Sequence, residues 1–88
     1  MPLRWTDEAL HGFTVGRWVR WRHPMSWDGL GRIVGIDPYA DNPVRFRYVD
    51  RRDGRLAEKT VQAGDLLLYF FDPPEALMAE YMIAELGA

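Results

Sequence analysis

Along the 88-residue chain, short runs of apolar and polar residues are broken by turn formers, and only the last run changes to a helical period. "VRFRYVD" (Val44–Asp50) alternates most cleanly, with Val44, Phe46 and Tyr48 on one side and Arg45 and Arg47 on the other. Upstream, "VGRWVRWRH" (Val15–His23) predicts a strand that ends at Pro24. "LGRIVGID" (Leu30–Asp37) predicts another, ending in the Asp-, Pro- and Asn-rich "DPYADNP". Downstream, "DRRDG" (Asp50–Gly54) is a hairpin turn with Gly54 able to take a positive φ, and "RLAEKTV" (Arg55–Val61) returns. The inward parity of this returning strand is open, because neither Leu56–Glu58–Thr60 nor Ala57–Lys59–Val61 is purely apolar; a β-bulge within it would switch its face. "AGDL" reads as one tight turn before "LLLYFF" (Leu66–Phe71), an apolar run that fits a buried fifth strand.

The two ends differ from this middle. Thr6 is placed to cap a short N-terminal helical segment, with Asp7 and Glu8 near its positive end and Gly12 as its stop. In "DPPE", Asp72 is an N-cap, followed by early prolines and a Glu at the third helical position, which predicts a helix over about 73–86. Leu77, Met78, Tyr81, Met82 and Leu86 form its apolar arc, with Glu85 inside the arc and Ile83 outside it. The expected fold is mainly β, five strands within about 13–71 and a C-terminal α-helix, in a single domain over 1–88.

Composition narrows the classes of function. With no cysteine, disulfides and thiolate metal sites are excluded, and two histidines make no zinc site without carboxylates, so neither metal nor cofactor is expected. No apolar run approaches the roughly 18–20 residues of a membrane span, and no membrane partner is expected. "MPLRWTDEAL" lacks the pattern of a signal peptide, which predicts a cytoplasmic protein or a virus-encoded one made inside its host. The net charge of −2 hides an asymmetry: residues 12–60 hold ten basic and six acidic residues, whereas residues 61–88 hold five acids and no base. The middle is therefore either an ordinary solvated surface or a local basic patch.

The order "VGRWVRW", "GLGRIVGID", "PVRFRYVD", "AGDLLLY" resembles the SH3-like small barrels of the Tudor and KOW type. It is also similar to the small accessory barrel protein of photosystem I and to related barrel subunits of redox complexes and nitrile hydratase. The resemblance covers about Phe13 to Tyr69 and implies a five-stranded barrel with a binding role. The "ALYDY" signature of signalling SH3 domains is absent, so recognition of Pro-rich peptides is not implied.

Catalysis finds little support. His11 and His23 have no partner in an acid–base or nucleophile motif, and the glycines of "GLGRIVG" fall in a strand pair rather than a phosphate loop. Partner binding is better served. In "GRWVRWRHPMSW" (Gly16–Trp27), period two sets Val19 and Trp21 inward and Trp18, Arg20 and Arg22 outward. That outer row is either a contact surface, since guanidinium groups grip carboxylates and phosphates, or the seat of the C-terminal helix. Trp27 and Tyr39 are loop aromatics suited to partner contact. The leading expectation is a non-catalytic protein-binding accessory, adaptor or assembly subunit using Trp18, Arg20, Arg22, Trp27 and Tyr39. The alternatives are a nucleic-acid binder using Arg20 and Arg22 with Arg45, Arg47 and the tip Arg51, Arg52 and Arg55, or a homo-oligomer joined through Met78, Met82 and Ile83.

Overall fold

The computed structural model describes residues 5–6, 8–22, 30–50 and 52–87. Five antiparallel strands form one open sheet: β1 (Trp18–Trp21), β2 (Leu30–Ile36), β3 (Val44–Asp50), β4 (Arg55–Val61) and β5 (Leu66–Leu68), in the order β4-β3-β2-β1-β5. A single 3₁₀ turn, Ala63–Asp65, leads into β5, and the helix α1 (Glu75–Leu86) follows. β3 and β4 have the bounds that their alternation and hairpin turn predict. Gly54 closes that turn at φ 70°, its N–H donating to the Asp50 carbonyl at 2.8 Å.

Both faces of the sheet are covered. One face gathers Val19, Ile33, Val44, Phe46, Val61, Ala63 and Leu66, with Leu10 and Phe13 of the N-terminal segment packed against them. The other carries Leu30 and Val49 under Tyr81 and Ala84 of α1. This explains the ambiguous parity of β4. Val61 serves the first face and Leu56 the second, while β4 pairs regularly with β3 from Val44↔Val61 to Asp50↔Arg55. Lys59 falls on the first face but keeps its ammonium 5.8 Å over the Trp21 ring, as a long cationic chain on an edge strand can. β4 therefore needs no bulge to switch its face; a bulge lies in β2, between Ile33 and Gly35, and brings both Ile33 and Ile36 toward the same core.

Several element bounds differ from expectation for local reasons. β1 starts only at Trp18 because Gly16, at φ 93°, turns the chain just before it. β5 pairs with β1 alone and stops at Leu68, so Phe70 and Phe71 stand exposed rather than buried in a longer strand. At the N-terminus Thr6 does cap, its hydroxyl accepting from the Ala9 N–H at 3.2 Å. From Glu8 the chain passes through turns, not a helix, to Gly12 at φ 83°. So short a segment gains too few hydrogen bonds to offset the cost of starting a helix.

The helix begins at Glu75, and Pro74, not Asp72, is its N-cap. A residue before proline is driven to extended backbone, so Pro73 cannot open a helix ahead of Pro74. The Pro74 carbonyl accepts from the N–H groups of Leu77 and Met78 at 3.0 and 3.1 Å. The buried stripe is Leu77, Met78, Tyr81 and Ala84; Met82 and Leu86, expected within it, face outward. Small Ala84 lets the helix approach the sheet where a larger residue would hold it off.

Candidate functional site

The outward row of β1 divides in two. Trp18 is half-buried beneath α1, its ring edge-to-face with Tyr81 at 5.1 Å and 89°, and the Arg32 guanidinium lies 5.1 Å over it. The helix therefore covers Trp18. It leaves Arg20 and Arg22 exposed; the Arg22 N–H donates to the Asp65 carbonyl at 2.9 Å and ties the end of β1 to the 3₁₀ turn.

Trp27 and Arg51 lie outside the described residues. Tyr39 is exposed in the β2–β3 loop, where its N–H donates to the Asp37 carboxylate at 3.0 Å. That loop leaves the far end of β2, roughly 20 Å along the strand from Leu30 at about 3.3 Å per residue, so Tyr39 does not share a rim with Arg20 and Arg22. Trp5, which no sequence pattern singles out, pins the loop. Its backbone N–H donates to the Pro38 carbonyl at 3.1 Å and its indole N–H to the Ala40 carbonyl at 2.8 Å.

The arginines of the hairpin are partly occupied. Arg45 and Arg47 both reach Glu58, at 3.5 and 3.2 Å. Arg52 folds back on Asp50, a guanidinium–carboxylate contact of 2.8 Å reinforced by its own N–H at 2.9 Å. That grip holds the Asp50 carboxyl down at about 2 and raises the Arg52 guanidinium. Arg55 is exposed, its N–H bound to the Asp53 carboxylate at 3.0 Å.

Of the expected helix contacts, Met78 packs against the sheet, whereas Met82 and Ile83 are exposed together with Leu86. Beside them runs a cleft of about 520 Å³ lined by Gly54, Arg55, Leu56, Ile83, Ala84 and Gly87. On the opposite edge of α1 a second cleft, of about 220 Å³, lies between the helix and β2–β3 and includes Arg32, Arg47, Tyr81 and Glu85. Burial raises the Tyr81 phenol, with Glu85 adding to the shift and Arg47 and Arg32 opposing it. Phe70 and Phe71 belong to the surface although hydropathy alone places them in a strand; the two prolines shortly after them are the signal that the strand ends early.

Among the described residues, no group of three or more His, Asp or Glu side chains is placed to hold a metal ion, and no helix is long and apolar enough to cross a membrane. Comparison of the chain with protein-family models, curated proteins and solved structures finds no match.

Proposed function

We propose that the chain is an SH3-like barrel that acts as a non-catalytic protein-binding module, an accessory or assembly subunit of a larger cellular or viral complex, and that it docks through the outer face of α1. The strand order, with β1 between β2 and β5, the tight β3–β4 hairpin and the 3₁₀ turn before β5 support the barrel reading. The docking reading rests on one observation. Met82, Ile83 and Leu86 are 56, 70 and 87% exposed on a helix whose other face is already committed to the sheet. Apolar side chains gathered on a surface and bordered by a cleft are the usual mark of a contact site. Arg20 and Arg22, both exposed, supply a second, electrostatic contact.

The nucleic-acid reading draws less support, because Glu58 and Asp50 neutralise much of the charge of Arg45, Arg47 and Arg52. Site-specific photo-crosslinking tests the proposal. A crosslinker at position 83 should capture one defined protein in the native cell, and one at position 60 should not. An Ile83→Asp, Leu86→Asp chain that still co-purifies with that partner refutes the docking face. An adduct to a second copy of this chain would replace the accessory reading with self-assembly.

A further inference from the structure

The second cleft lies on the side of α1 away from the docking face and has chemistry of its own. Arg32 and Arg47 sit directly opposite each other across β2 and β3. Like charges in that relation are unfavourable unless something neutralises them. Glu58 attends to Arg47 but is shared with Arg45. Arg32 has no carboxylate within ion-pair reach among the described residues; its Nε donates only a long bond, 3.4 Å, to the Gly16 carbonyl. Tyr81 is 1% exposed, yet its hydroxyl has no hydrogen-bond partner among the described residues, although it lines the cleft and senses both guanidinium charges. The ring is buried but the hydroxyl is not sealed from solvent, so it stands as an available donor at the cleft. The cleft is thus walled by Arg32, which has no carboxylate of its own among the described residues, by Arg47, which shares Glu58 with Arg45, by the Tyr81 hydroxyl, and by one acid, Glu85, at its exposed rim.

We infer that this cleft is an oxyanion site, which takes a carboxylate or phosphate group between the guanidinium groups of Arg32 and Arg47 and the hydroxyl of Tyr81. Arginine presents a planar fork of donors that matches either group. Its volume of about 220 Å³ exceeds by several-fold the space of one water. Glu85 disfavours a highly charged ligand and so limits the site to small anions or to one acidic group of a larger molecule.

The test is a titration of the whole chain with inorganic phosphate and, separately, with acetate, each against chloride at equal ionic strength, following the amide signals of Gly16, Arg32 and Arg47 by NMR. Saturable shifts at millimolar concentration with phosphate alone, acetate alone or both support the site, and the pattern tells a phosphate pocket from a carboxylate pocket. Tyr81→Phe keeps the ring against Trp18 and should weaken binding roughly tenfold, the usual weight of a hydrogen bond to a charged group. Glu85→Gln, at an exposed position that does not threaten folding, should tighten it severalfold. Shifts no larger than those in chloride overturn the inference. So does an affinity that Glu85→Gln leaves unchanged.

Discussion

The two faces of α1 are assigned opposite tasks, and a pair of alanine substitutions two residues apart separates them. Tyr81 is among the largest fully buried side chains, whereas Ile83 stands mostly in solvent. Truncating a buried aromatic to alanine typically costs about 3–5 kcal/mol. At Tyr81 the loss of the edge-to-face contact with Trp18 adds about 0.5–1.5 kcal/mol. One term acts in the other direction: alanine's better helix propensity returns about 0.5 kcal/mol. The net expectation for Tyr81→Ala is about 3–6 kcal/mol of destabilisation, a large share of the roughly 4–13 kcal/mol available to a domain of this size. Ile83→Ala should fall within about 0.5 kcal/mol of the parent, as exposed positions do. Urea unfolding, followed by circular dichroism and by tryptophan fluorescence, measures both. The reasoning fails if Tyr81→Ala costs less than about 1 kcal/mol or if Ile83→Ala costs as much, since either result would mean that α1 is not seated on Tyr81.

Two further outcomes test the sheet and its hairpin. A methyl group at Gly31 would stand 2.9 Å from Phe46 Cδ2 and 3.3 Å from the Arg47 carbonyl, so Gly31→Ala should cost about 1–2 kcal/mol, overpacking outweighing the lower entropy of the unfolded chain. Phe46→Leu in the same chain should recover part of that cost, and simple additivity in the double-mutant cycle would refute the clash. The Asp50 carboxyl, held at about 2 instead of 3.8 by Arg52, supports the hairpin fully above about pH 4 and loses that contribution as pH falls through 2. Arg52→Gln should return the Asp50 midpoint toward 3.8 in an NMR titration, and a wild-type midpoint already near 3.8 would exclude the pairing.

The strands are legible in the sequence wherever one face alone decides the pattern. β3 and β4 run over the residues that alternation and the Gly54 turn mark out. Legibility fades where both faces are covered, because period-two contrast then blurs. In β4 the apolar Leu56 and Val61 lie on opposite faces and each is used, so no bulge is needed there. In α1 the choice of a buried stripe by side-chain size selects Met82 and Leu86 and passes over Ala84, whose value lies in its smallness.

The candidate sites show the same limit in another form. "GRWVRWRHPMSW" draws attention because its aromatics and arginines are dense in sequence, yet strand parity scatters them: Val19 and Trp21 go to one core, Trp18 goes under the helix, and Arg20 and Arg22 go to solvent. The oxyanion cleft has the reverse character. Arg32, Arg47 and Tyr81 come from β2, β3 and α1, are separated by at least fifteen residues, and belong to no local motif. Only the register that sets Arg32 against Arg47, together with the helix crossing above them, makes them neighbours. Beyond Ile33 that register shifts by one residue at the bulge, which restores Ile36 to the core. A sequence read strand by strand supplies each donor singly, and a single outward arginine is indistinguishable from a solvated one. The pairing of strands is what turns two solvated charges into an opposed pair that an anion would relieve.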